Sequence, residues 1–142
     1  MVEITQAKLG KKQLLPFYLS SVQAGFPSPA EDYVEQQLDL NALVVKHPAA
    51  TFFVKVEGDS MEEANILSGD ILAVDRSLEP AHNKIVVAVV NGEFTVKRLS
   101  IRKSGTYLLP ENSRNPKYKA IRIVEGMDFQ IWGVVTYVIH KT

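Results

Sequence analysis

From Thr51 to Ile139 the chain is a succession of short runs rich in valine, isoleucine and aromatic residues, each closed by a turn signal. The signals are Ser68-Gly69-Asp70, His82-Asn83, Asn91-Gly92 and Ser104-Gly105. Strands are therefore expected at Phe52–Val56, Ile71–Val74, Ile85–Val90, Glu93–Leu99, Thr106–Leu109, Ala120–Val124 and Phe129–Ile139. Asn91-Gly92 is the strongest hairpin signal, because both residues tolerate the positive φ of a type I′ turn. Pro110 to Lys119, with Asn112, Ser113, Asn115 and Pro116, reads as a surface loop. The fold class implied is mainly β.

The first 29 residues have a different texture. Apolar positions are scattered, Lys8, Lys11 and Lys12 are basic, and Ser20 to Pro29 fits neither a helix nor a strand period. Residues 1–29 read as an N-terminal arm and 30–142 as a β-rich domain. A helix is expected to open at Ser28, where Ser28 and Glu31 form a capping-box pattern and Pro29 takes the first helical position. Its apolar stripe would be Val34, Leu38 and Ala42, and it should end before Pro48.

The 142 residues suit one domain with a real core. Sixteen basic and sixteen acidic side chains balance, so no global field draws the chain to nucleic acid or an anionic membrane. Sequence-specific DNA binding is not expected. There is no cysteine, which removes disulfides, thiolate metal sites and cysteine nucleophiles together. No cofactor or metal is called for, and covalent chemistry must use oxygen or nitrogen. The longest apolar run, Ile85 to Val90, is far short of the ~20 residues that span a bilayer. Met1 to Leu15 lacks the continuous apolar stretch of a signal peptide, so a cytoplasmic protein is expected.

Gly58-Asp59-Ser60-Met61 follows an expected strand and leads into Glu62-Glu63-Ala64-Asn65, which places Ser60 where a strand turns into a short helical segment. A hydroxyl there is exposed, and N–H groups at such a turn can stabilise an oxyanion. From these four residues alone, a serine that merely caps the turn is the simpler account. A serine nucleophile also needs a base. His47, His82 and His140 bring no triad signature with them. The alternative is Lys97. Strand alternation in Phe94-Thr95-Val96-Lys97-Arg98-Leu99 puts Thr95, Lys97 and Leu99 on one face, and burial there would lower the lysine pKa enough to let it accept a proton. Without Ser60 in view, an edge-strand lysine that blocks aggregation is the plainer reading.

The two segments together, with Ser60 and Lys97 separated by 37 positions, resemble the catalytic serine and lysine motifs of the LexA and UmuD peptidase family. The resemblance covers essentially the whole chain. It implies a LexA/signal-peptidase-like, barrel-like β body with a flexible arm and one short helix. It also implies an SOS-response serine peptidase that cuts a bond in its own arm. Ala24-Gly25, followed by Phe26-Pro27-Ser28-Pro29-Ala30, looks like that bond, and Asp32-Tyr33-Val34-Glu35-Gln36 continues the similarity. Ala24 stands where some UmuD proteins have cysteine; both are small, which gives a MucA-like variant with an Ala-Gly site. Ser60 would be nucleophile, Lys97 general base, and the N–H groups of Asp59 and Ser60 the oxyanion hole. Fewer than 30 residues precede the cleavage-site region, too few for the helix-turn-helix domain of LexA repressors. The family implies stimulation by RecA filaments, a homodimer after trimming, and a Y-family, UmuC-like polymerase partner in error-prone synthesis. The terminal strand Phe129–Ile139 is either a dimerisation strand or a core strand. A non-catalytic β-rich adaptor is the rival reading.

Overall fold

The computed structural model describes residues 3–7, 10–18, 24–25 and 35–142. Among the described residues there are ten strands and one α-helix: β1 (Glu3–Gln6), β2 (Leu14–Tyr18), β3 (Glu35–Asp39), α1 (Leu40–Val44), β4 (Thr51–Lys55), β5 (Ile71–Asp75), β6 (Ile85–Val90), β7 (Glu93–Arg102), β8 (Gly105–Leu109), β9 (Ile121–Ile123) and β10 (Phe129–Ile139). Eight form one antiparallel sheet in the order β1-β4-β5-β10-β6-β7-β8-β9, while β2 and β3 pair separately. The mainly β fold with one short helix is the one expected.

Strand β6 shows why the apolar runs fold this way. It lies between β10 and β7, and Val86, Val87 and Ala88 are all fully buried. Successive side chains on a strand point to opposite faces, so an unbroken apolar run implies a strand covered on both sides. Accordingly Val87 joins a core cluster with Val54, Val56, Met61, Ile66, Leu72, Val74 and Val96, whereas Val86 and Ala88 join Leu99, Leu108 and Val134 in a second. Each such side chain contributes about 1.5–3 kcal/mol when fully buried. Lys97 pairs with Val86, on the strand face of the second cluster.

Asn91 (φ 51°) and Gly92 (φ 80°) form a two-residue connection closing the β6–β7 hairpin at Val90 and Glu93, as the sequence predicts. Strand β10 changes partners along its length, pairing with β6 up to Val134 and with β5 from there on, with irregularities between Ile131 and Gly133 and between Val135 and Tyr137. At Gly133 a Cβ would stand 2.5 Å from Val74 Cγ1 and 3.2 Å from Arg76 Cγ, so the close approach of β10 to β5 requires glycine.

The N-terminal half differs from expectation. The helix predicted from Ser28 onward is not continuous through Leu38: Glu35–Asp39 is strand, paired with Leu14–Tyr18, and the helix is confined to Leu40–Val44. Position 28 and Val34 lie outside the described residues. The helix start is set by Asp39, whose carboxylate accepts the Asn41 N–H at 3.0 Å. No residue of α1 is buried, so no apolar stripe drives a longer helix; Leu38 sits in β3 and Ala42 is exposed. The chain leaves the helix before Pro48, which opens a 3₁₀ turn to Ala50. Within the segment read as an arm, β1 extends the main sheet beside β4, and Ile4 packs against the first core cluster. Pro16 of β2, opposite Gln37, is tolerated because a two-stranded ribbon leaves one side of each strand without a ladder. Among the described residues no helix is long and apolar enough to cross a membrane.

Candidate active site

Ser60 stands where the sequence places it, in the turn that leaves β4 and enters the 3₁₀ turn Glu62–Ala64. Two buried side chains anchor this turn. Met61 and Ile66 belong to the first core cluster, and Asn65 reverses the chain in the left-handed region (φ 60°). Ser60 is thereby pinned by its neighbours while its own side chain stays half-buried.

Lys97 comes to it from the middle of β7, 37 residues on. Its Nζ lies 3.0 Å from Ser60 Oγ, 2.8 Å from Thr95 Oγ1 and 3.1 Å from the Val96 carbonyl oxygen. Thr95 reaches it because residues two apart share a strand face. Lys97 is only 8 % exposed, and all three partners are neutral oxygens. Burial disfavours its charged form and pushes its pKa below the ordinary 10.5. A small cavity of about 80 Å³ opens beside Ser60 between Gly58, Met61, Phe94 and Val96. A wider groove, sharing Phe94 and Thr95 with the cavity, reaches Lys97 along Asn91, Tyr118 and Ile121.

The loop from Pro110 to Lys119 is fastened across the Ser60 turn, which sequence reading did not foresee. The Glu111 N–H donates to the Ser60 carbonyl (2.7 Å), and the Glu63 N–H donates to the Glu111 carbonyl (2.8 Å). Asn112 Nδ2 donates to the Asp59 carbonyl at 2.8 Å. The Ser113 N–H and hydroxyl both donate to the Glu63 carboxylate at 2.7 Å, which holds that carboxyl below its ordinary pKa. Arg114 pairs with Glu62. The Tyr118 hydroxyl donates to Asp59 and, as the largest influence, lowers its pKa. On the far side of the loop, Arg98 holds Glu111 through two hydrogen bonds of 2.9 and 3.2 Å. The sequence signal was present only as turn-forming composition; its target lies some 50 residues away.

The histidines are engaged elsewhere. His47 Nδ1 lies 2.6 Å from Asp75, His140 Nδ1 lies 2.6 Å from Asp70, and His82 Nδ1 accepts the Ile101 N–H at 2.9 Å. Asp75 keeps a lowered pKa although burial works in the opposite direction, because hydrogen bonds from Ser77 and His47 outweigh it. None of these contacts involves Ser60. Ala24 and Gly25 form an exposed bend, with Gly25 at φ 142°. The segments on either side lie outside the described residues, and no hydrogen bond among those described joins the bend to Ser60 or Lys97. Ser60 and Lys97 are brought together.

With that geometry in view, comparison with known proteins is decisive. The sequence pattern of the Peptidase S24-like family matches residues 16–136, a span that contains both Ser60 and Lys97. The chain belongs to the Peptidase S24-like family. It is 47% identical over 127 residues to Protein ImpA of Salmonella typhimurium, covering 89% of this chain and 84% of that one. It is 49% identical over 123 residues to Protein MucA of Escherichia coli, covering 87% and 82%. It is also 36% identical over 133 residues to the LexA repressor of Paracidovorax citrulli (strain AAC00-1), covering 94% of this chain but 58% of the repressor. The family resemblance carried by the two motifs is therefore shared along nearly the full length.

Proposed function

We propose that this chain is a self-cleaving serine peptidase in which Ser60 and Lys97 cut the Ala24-Gly25 bond. The observation that carries the reading is the 3.0 Å contact between Ser60 Oγ and a buried Lys97 Nζ. A neutral amine has two N–H donors and one lone pair. If the donors go to Thr95 Oγ1 and the Val96 carbonyl, the lone pair is left for the Ser60 proton. As the proton passes from Oγ to Nζ, Oγ bonds to the Ala24 carbonyl carbon, and the resulting oxyanion is held by the N–H groups of Asp59 and Ser60. The carbonyl re-forms, the C–N bond breaks, and Lys97 returns the proton to the departing Gly25 amine. Lys97 then takes a proton from water as it attacks the acyl-enzyme ester, and returns it to Ser60 Oγ as the ester C–O bond breaks, which regenerates the Ser60 hydroxyl and releases the acid of Ala24, ionised in water.

An arm tethered to the same chain, or carried by a partner copy, reaches the site by proximity rather than affinity. In this reading residues 1–29 are the arm and 30–142 the peptidase and dimerisation domain, and contact with a RecA filament stabilises the cleavage-competent arm position. The trimmed homodimer then serves a Y-family, UmuC-like polymerase in error-prone synthesis, in the cytoplasm. Likeness to ImpA and MucA supports this downstream role.

The test is reaction of the full chain with a fluorophosphonate, located by peptide mass. Labelling at Ser60 that rises with pH and is lost in Lys97→Ala supports the reading. No label at Ser60 overturns it in favour of a non-catalytic adaptor, and equal labelling of Lys97→Ala overturns the role of Lys97 as the base.

A further inference from the structure

Ser60 and Lys97 account for proton transfer but not for what aims the oxyanion donors. The two peptide units flanking Ser60 are each held at their carbonyl oxygen by an N–H donor from the same loop. The Asp59 carbonyl accepts from Asn112 Nδ2 at 2.8 Å and, within its own turn, from the Glu62 N–H at 3.2 Å; the Ser60 carbonyl accepts from the Glu111 N–H at 2.7 Å. A trans peptide is planar, with its C=O and N–H directed to opposite sides, and no peptide bond among the described residues is cis. Fixing the Asp59 carbonyl toward Asn112 therefore fixes the Ser60 N–H on the side away from the loop. That N–H has no backbone acceptor among the described residues, which leaves it available to a ligand.

Asn112 is built to hold one orientation. Only 7 % of it is exposed, and only its Nδ2 end can meet a carbonyl, so the amide cannot turn over without setting oxygen against oxygen. Its Oδ1 is buried with no hydrogen-bond partner among the described residues. The loop is fastened independently of Asn112 by Arg98–Glu111, Ser113–Glu63 and Arg114–Glu62. Given the Ser60–Lys97 reading, on which the inference rests, we infer that Asn112 is a positioning residue for peptide hydrolysis: by gripping the Asp59 carbonyl it sets the peptide plane that presents the Ser60 N–H to the oxyanion.

The experiment is first-order self-cleavage of the full chain, followed by intact mass from neutral to alkaline pH. Wild type is compared with Asn112→Asp, which keeps the shape and loses the donor, and with Asn112→Ala; thermal unfolding is measured in parallel. Loss of one preorganised oxyanion contact lowers rates by about 100- to 1000-fold, so the plateau rate of both variants should fall by about 100-fold. The pH midpoint, which belongs to Lys97, should stay where wild type has it, and both variants should remain folded at the assay temperature even though Asn112→Asp, which sets a carboxylate oxygen against the Asp59 carbonyl, unfolds at a lower temperature than wild type. If the wild type cuts and Asn112→Asp cuts within about threefold of it, this inference alone falls. It also falls if the pH midpoint moves, which would place the effect on Lys97, or if the rate loss is matched by unfolding in both variants. A wild type that never cuts removes the Ser60–Lys97 reading itself, and this inference with it.

Discussion

Replacing Lys97 with methionine should stabilise the fold at neutral pH, and the gain should disappear on the alkaline side. The side chain is 8 % exposed and its ammonium meets only Ser60 Oγ, Thr95 Oγ1 and the Val96 carbonyl. Burying a charge among neutral groups costs on the order of several kcal/mol. Three hydrogen bonds worth about 1 kcal/mol each offset part of that. Methionine fills similar volume without charge, so the net gain at neutral pH should be about 1–2 kcal/mol. The pH dependence has a definite sign. Burial lowers the folded-state pKa of Lys97 below its ordinary 10.5, so between those two values the unfolded chain binds more protons than the folded one. The cost of the lysine is therefore full below the folded pKa and is relieved as pH rises toward 10.5. The assay is urea unfolding at a series of pH values, with Ser60→Ala in both chains so that no cleavage intervenes. A gap that favours methionine at neutral pH and closes with alkalinity is expected. Parallel curves across the range, or a less stable methionine chain whose deficit ignores pH, would refute the claim that Lys97 is a buried, disfavoured cation.

The same contacts set further expectations. Thr95→Val removes an acceptor that stabilises charged Lys97. The pH midpoint of self-cleavage should therefore move to lower pH, and a midpoint that rises would contradict it. Gly133→Ala should destabilise the fold by about 1–3 kcal/mol in chemical unfolding, because its Cβ would meet Val74 Cγ1 at 2.5 Å. Wild-type stability in that variant would mean β10 and β5 separate more easily than their pairing implies.

The legible parts of the sequence were those governed by local rules. Every strand expected after Thr51 is present to within a few residues, because Val86-Val87-Ala88 and their counterparts can be buried only in a covered sheet. Ser60 and Lys97 stood out only through the family resemblance of their two motifs, since each alone reads more simply as a turn cap and an edge-strand lysine. The errors lie where pairing overrides pattern. Glu35-Gln36-Gln37-Leu38-Asp39 carries no strand alternation of its own and is extended because β2 pairs with it; Ile4 gave no sign that it would join the core cluster of β4. Asn112 was read correctly as loop, but its partner is a carbonyl 53 residues away, and a contact of that kind leaves no periodic signal.

The central claim is tested most directly by the intact mass of the full chain, Ser60→Ala and Lys97→Ala after incubation at mildly alkaline pH, with and without activated RecA filaments. The account predicts that wild type alone loses residues 1 to 24, by scission between Ala24 and Gly25. Three chains that all remain whole, or a Lys97→Ala chain that is cut as fast as wild type, would contradict it.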